Sequence, residues 1–186
     1  MSFRIGIVGA AGCGKSSLAE IVAAKMGIPN LKSRAITEDI LKRDGYDYSS
    51  GIQIERFLAN TGRQNEILRR TIEQQQVTDF VTDRTVVDLA AYAVCEMHHS
   101  DVAALRRIMD TCRKNVSVYT HLILCPWRDI PVADTQKRTL NPWYQFLIHA
   151  VERGILDEWG CKYQILKSDD RDSRLHEIML EVGKDS

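Results

Sequence analysis

The sequence predicts an α/β fold, a three-layer sandwich in which a central parallel sheet of about five strands carries helices on both faces. Three observations carry this expectation. Short β-branched runs alternate with longer segments of 3.6-residue apolar spacing. The intervals between the runs are long enough for the dozen-residue crossovers that parallel neighbours require. The chain has 186 residues, and at roughly 150 residues per domain that makes one domain, 1–186, with one main core.

Each element has its own signal. Phe3 to Val8 is an apolar strand that runs into the glycine-rich segment Gly9 to Gly14. Lys15 to Met26 carries Leu18, Ile21, Val22 and Met26 on one helical face and stops at Gly27. Ile28 to Leu31 is a short strand, Ser33 caps a helix to about Arg43, and the turn-rich stretch from Asp44 to Gly51 is a loop. From Ile52 to Gln76 the helical rhythm predicts one long or kinked helix, interrupted near Thr61-Gly62. Val77 to Thr82 is the next strand, Val86 to Met97 a helix broken by His98-His99-Ser100-Asp101, and Val102 to Cys112 another helix. Tyr119 to Cys125 is a buried strand ended by Pro126. Asn141-Pro142 opens a helix to about Trp159, followed by a strand from Lys162 to Leu166 and a helix from Asp172 to Val182.

Composition excludes several classes of function. With 44% hydrophobic and 27% charged residues the chain is an ordinary globular one, and Lys plus Arg equal Asp plus Glu at 25 each, so no global positive charge marks a nucleic-acid binder. No apolar stretch approaches the ~20 residues of a membrane span, and no signal-peptide layout is present, so a cytoplasmic protein without membrane partners is expected. Five scattered cysteines without a C-x-x-C pair suggest reduced thiols.

The segment Gly9-Ala10-Ala11-Gly12-Cys13-Gly14-Lys15-Ser16 fits G-x-x-x-x-G-K-[ST] between a predicted strand and a predicted helix. Glycines let backbone N–H groups turn inward around phosphate oxygens, the helix start adds its positive end, and Lys15 reaches the β and γ phosphates. Ser16 offers a hydroxyl to Mg²⁺, with Ser17 beside it. The bland alternative is a glycine-rich turn that binds nothing.

Asp83 follows the third predicted strand, at the carboxyl edge where open α/β sheets bind ligands. It can hold Mg²⁺ through water or take the proton of an acceptor hydroxyl, and Arg84 can neutralise charge on the acceptor or the transferred group. Asp83 also suits a helix cap. Asp79, inside the predicted strand, is the weaker candidate acid. The run ending at Cys125 lacks the acid of motor ATPases, which points towards transfer. Arg128, Lys137 and Arg138 lie in a polar segment, about 127–141, suited to a lid over the transferred phosphate or simply to solvated charge, with Arg138 ahead of Arg128.

Acceptor candidates lie between the second strand and the third helix: Arg34, Glu38, Phe57 and Gln64, with Tyr46, Tyr48 and Arg63 nearby. Trp127, Trp143 and Tyr144 either stack on adenine or cover the core, the latter being the expectation. His98-His99 lacks partners at ligand spacing, so no metal beyond Mg²⁺ is expected. Cys13 is either redox-sensitive beside Lys15 or merely a small residue tolerated in the loop.

On the segment Gly9 to Ser17, the Asp83-Arg84 pair and the basic lid, the chain resembles the small P-loop nucleoside and nucleotide kinases. Ser33-Arg34-Ala35, Asp83-Arg84-Thr85 with Val86 to Tyr92, and the late proline–tryptophan segment look most like the kinase domain that phosphorylates nicotinamide riboside and related AAA-type kinase-like proteins. The resemblance implies ATP with Mg²⁺ as donor, Asp83 as base or metal-organising acid, and an arginine-bearing lid. It leaves open the acceptor, a nucleoside hydroxyl or a monophosphate, and assembly as a homodimer. Two other readings stand beside it: a kinase acting on a hydroxymethylated pyrimidine within DNA, where Arg69-Arg70, Arg106-Arg107 and Arg113-Lys114 would serve the polymer, and a nucleotide-binding switch or regulatory NTPase.

Overall fold

The alternation of the first strand decides where the core lies. In β1 (Arg4–Val8), Ile5 and Ile7 face one side of the sheet and Val8 the other, and all three are fully buried. The computed structural model describes residues 2–46, 60–97, 102–128 and 141–184. After β1 come α1 (Lys15–Met26), β2 (Asn30–Leu31), α2 (Arg34–Arg43), α3 (Thr61–Gln74), β3 (Phe80–Thr82) and α4 (Val86–Met97). Then follow α5 (Val102–Asn115), a 3-10 turn (Val116–Val118), β4 (His121–Leu124), α6 (Pro142–Glu158), β5 (Gln164–Ile165) and α7 (Arg171–Gly183).

The sheet order is β2-β3-β1-β4-β5 and every pairing is parallel. Helices α1 and α7 pack on the Ile5–Ile7 face with Val81 and Ile123, while α2 to α6 supply the larger cluster around Phe80, Leu122 and Leu124. This is the expected three-layer sandwich. Four of the described helices start on a short polar side chain that reaches a backbone N–H of the first turn, Thr85 before α4 among them. Asn60 accepts from Arg63 N (3.1 Å), Asn141 from Trp143 N (3.0 Å) and Asp170 from Ser173 N (2.8 Å). No helix among the described residues is long and apolar enough to cross a membrane.

The strands are shorter than the apolar runs suggest, because side chains replace the ladder at the lower edge. Asp79 Oδ1 accepts from Phe3 N (2.6 Å), so pairing of β1 with β3 begins only at Phe80. Thr120 Oγ1 accepts from Arg4 N (3.0 Å) in the same way. Tyr119 turns inward, its hydroxyl donating to Gln75 (2.8 Å) and accepting from Val86 N (3.0 Å). Ser33 precedes α2 without capping it; its hydroxyl donates instead to Gln74 (3.2 Å). Of the helix expected over Ile52 to Gln76, the part from Thr61 is helical and 52–59 lie outside the described residues, as do His98 to Asp101.

Candidate active site

The phosphate loop joins the central strand β1 to α1. Gly14 holds φ +88° at the helix start, a left-handed conformation that L side chains resist, and from there α1 begins with Ser16 and Ser17 exposed. Lys15 folds back over the loop and donates to Ala10 O (3.2 Å). From the β5 side Arg174, almost wholly buried, donates from Nη1 to Cys13 O (2.9 Å) and from Nε to Ser168 O (2.8 Å), tying the loop to the segment before α7. A cavity of about 250 Å³ lies there, lined by Gly14, Ser17, Leu18, Asp169, Arg171 and Arg174.

Strand order brings Asp83 to the same edge. β3 is hydrogen-bonded to β1 with Thr82 opposite Gly6, so the residue after it emerges beside the strand that feeds the loop. Asp83 is half-buried and makes no hydrogen bond or ion pair among the described residues. It does not cap α4. That role belongs to Thr85, whose hydroxyl accepts from Val87 N (3.1 Å) and Asp88 N (3.3 Å), while Asp88 Oδ2 accepts from Thr85 N (2.8 Å): a reciprocal capping box. Arg84 donates to Thr37 Oγ1 (2.7 Å) and lies 5.9 Å over the Tyr92 ring.

Two acids that sequence reasoning passed over stand behind the loop. Asp88 on α4 is 1% exposed and Glu152 on α6 0%. Thr85-x-x-Asp88 is a legible capping box; Glu152 sits at core spacing between Ile148 and Ile155, where an acid is itself a signal. Burial pushes the Asp88 carboxyl up, with Lys15 opposing, and burial together with Asp88 pushes Glu152 well above the usual carboxylate range. Burial works against the charge on Lys15, yet Cys13, Asp88, Tyr92 and Glu152 outweigh it and hold the ammonium above its ordinary value. A hydrogen bond with Cys125 draws the Cys13 thiol down to about 6, with burial opposing and Lys15 assisting.

The other predicted residues are spread around this edge. Arg34 and Glu38 form an exposed ion pair along α2 (2.9 Å), and Gln64 is buried on α3. Arg128 pairs with Asp169 (2.8 Å) and donates to Lys167 O (3.1 Å). Phe57, Tyr48, Lys137 and Arg138, and with them the lid between 129 and 140, lie outside the described residues. Asp79 is at the opposite end of the sheet. Trp143 corrects an expectation: it is 68% exposed rather than core, stacked on Trp127 (6.2 Å) and edge-on to Phe146, because α6 buries Gln145, Ile148 and Glu152 instead. Arg69 and Arg70, candidates for a polymer, are paired with Glu73 (2.5 Å) and Asp39 (2.7 Å).

Ser16, at the start of α1, and Asp83, after β3, offer hard oxygens of the kind Mg²⁺ takes, at one edge of the sheet.

Residues 4–174 match the family model of an AAA domain. No curated protein sequence matches. Among solved structures, a NadR protein in complex with NR superposes with a TM-score of 0.71 at 15% identity, covering 98% of this chain and 50% of that one, so this chain spans about half the NadR protein's length. A deoxyadenosine kinase from M. mycoides, with products dCMP and a flexible dCDP bound, gives 0.70 at 16% identity over 99% of this chain and 100% of that one. Shikimate kinase from Acinetobacter baumannii in complex with shikimate gives 0.58 at 12% over 100% and 96%. These likenesses establish the P-loop kinase fold.

Proposed function

This chain belongs to the AAA domain family, and from that premise we propose that it is an ATP-dependent phosphotransferase moving the γ-phosphoryl group to a nucleoside- or nucleotide-type acceptor. The observation that carries the reading is Asp83. It is an uncommitted carboxylate one strand from the phosphate loop, released from capping by Thr85. A fold shared with the NadR protein, deoxyadenosine kinase and shikimate kinase supports the same class of chemistry.

In this reading the N–H groups of Gly9 to Ser17 and the start of α1 surround the phosphates, with Lys15 swinging from Ala10 O to the β and γ oxygens. The acceptor oxygen bonds to the γ-phosphorus as the bond from that phosphorus to the bridging oxygen breaks and ADP leaves. Asp83 takes the proton when the acceptor is a hydroxyl. Arg84 sits beside it to offset charge on the transferred group, and Arg138 would add to this from the lid. Ser16 would hold Mg²⁺, with Asp83 ordering it through water, and the ion would supply further charge neutralisation. In this reading the adenine ring enters the cavity beside Arg174. The test is transfer of labelled γ-phosphate from ATP across nucleosides, their monophosphates, nicotinamide riboside and plain or hydroxymethylated DNA. A labelled acceptor with the wild type and none with Asp83→Asn supports the reading; label appearing only as free phosphate contradicts it.

A further inference from the structure

The phosphate loop carries a thiol that phosphoryl transfer leaves idle. Cys13 stands between Gly12 and Gly14, which hold φ +91° and +88°, and its sulfur lies against Gly9. A side-chain carbon built on Gly9 would come within 2.8 Å of Cys13 Sγ and 3.0 Å of Cys125 Cβ, so the two cysteines meet over this glycine. Their thiols are hydrogen-bonded, Cys125 donating to Cys13. Both backbones are anchored. Cys125 is fully buried just past β4, its N–H donating to Val8 O (2.8 Å), and Cys13 O accepts from Arg174 Nη1 (2.9 Å). Cys13 is only half-buried, so a small solute reaches it while Cys125 stays covered. The remaining cysteines differ. Burial pushes the thiols of Cys95, Cys112 and Cys161 up, and Cys112 and Cys161 pack on the opposite sheet face from Cys13 and Cys125. Reactivity is therefore confined to one accessible sulfur, in the loop, with a second sulfur already in contact with it.

We propose that Cys13 and Cys125 form a redox-modification site, in which hydrogen peroxide converts the pair to a disulfide that draws the phosphate loop towards β4 and weakens ATP binding. The Cys13 thiolate attacks one oxygen of the peroxide, the O–O bond breaks, and the departing hydroxide takes up the thiol's proton and leaves as water. Cys13 is then a sulfenic acid. The Cys125 sulfur bonds to Cys13 Sγ as the S–OH bond breaks, and the Cys125 proton joins that hydroxide to give a second water. Peroxide gains the two electrons that the two thiols lose. Because Cys125 is already in contact, it intercepts the sulfenic acid before more peroxide carries it to the irreversible sulfinic state. The bond has a mechanical consequence. A disulfide brings the sulfurs to about 2 Å, closer than the hydrogen bond it replaces. Cys125 is held by β1, so the loop is the part that moves, and the glycines on either side of Cys13 permit it. The N–H groups of Cys13 and Gly14 move with it, away from the positions in which they would meet a phosphate.

The test treats the full chain with hydrogen peroxide, blocks the remaining thiols with iodoacetamide under denaturing conditions and maps the peptides by mass. ATP affinity is measured by calorimetry before oxidation, after it, and after dithiothreitol. In the wild type the Cys13 and Cys125 peptides are found joined, lighter by two hydrogen atoms than the pair. ATP affinity falls tenfold or more, and dithiothreitol restores it. ATP added before the peroxide slows the joining. Cys125→Ala keeps the ATP affinity of the reduced protein within twofold, and peroxide then adds oxygen to the Cys13 peptide in place of the joined product. Cys125→Ser, closer in size, is run beside it with Tm as the control for folding. No joined peptide in the wild type, Cys13 joined as readily to another cysteine, or a joined pair with unchanged ATP affinity overturns the proposal. The bond is read by mass and needs no turnover. A chain that forms it, loses ATP on oxidation and yet labels no acceptor when reduced supports the site and ends the phosphotransferase reading.

Discussion

The two flanks of the phosphate loop are built on opposite terms. On the β5 side polar groups meet one another: Arg174 holds Cys13 O and Ser168 O, and Glu177 accepts from Lys167 N and Ser168 N (both 2.8 Å). On the α4–α6 side two acids, Asp88 and Glu152, are equally buried and meet each other, with no cation bonded to either among the described residues. The first flank is finished by the protein itself, as suits a loop that must hold its N–H groups fixed before a phosphate arrives. The second is held by a protonated acid pair, whose stability depends on pH. Stability on the first side thus rests on hydrogen bonds to backbone groups, whereas on the other it rests on a buried carboxyl that must keep its proton.

Several changes break or sharpen this contrast. Asp83→Asn lowers kcat for transfer by about 100- to 10,000-fold, with ATP affinity within twofold, measured by steady-state kinetics beside equilibrium nucleotide binding. Lys15→Ala removes the cation from the phosphates and lowers transfer by about 100-fold or more. Arg174→Ala leaves Cys13 O and Ser168 O without their donor, and thermal unfolding should record a loss of about 1.5–3 kcal/mol together with weaker ATP binding, while nucleoside binding is unchanged.

Acidity separates the flanks in another way. The Glu152 carboxyl titrates higher in the folded chain than its ordinary 4.5, so the folded state keeps a proton that the unfolded chain has released. The stability this contributes is full below that ordinary value and is lost as pH rises towards the folded one. Glu152→Gln does not titrate, so the Tm difference between variant and wild type moves in the variant's favour as pH is raised from 4.5, and a constant difference contradicts the burial of an ionisable acid. The smallest expected effect is at Cys13. Its alkylation by iodoacetamide rises through about pH 6 and is slowed by ATP, while the buried Cys125 stays unmodified.

What the sequence discloses follows the same division. The phosphate loop is contiguous, and its strand, turn and helix each leave a local signature, so Gly9 to Ser17 could be named from the chain alone; α1 and α4 matched their predicted spans for the same reason. Asp83 could be named, but its nearness to the loop depended on β3 lying next to β1, a fact of topology that no local pattern contains. The α4–α6 flank joins residues 64 apart, Asp88 and Glu152, and no local pattern says that these two acids meet. Trp143 failed for a related reason: the neighbouring turns of α6 bury Gln145 and Glu152, which sends the aromatic outward.

Native-state hydrogen exchange, resolved by peptide, tests the contrast most directly. ATP should slow exchange in the loop and α1, residues 9–26, more than in α4 and α6, residues 86–97 and 142–158. No protection of residues 9–26, or equal protection of both flanks, would contradict a phosphate cradle built on the loop and α1.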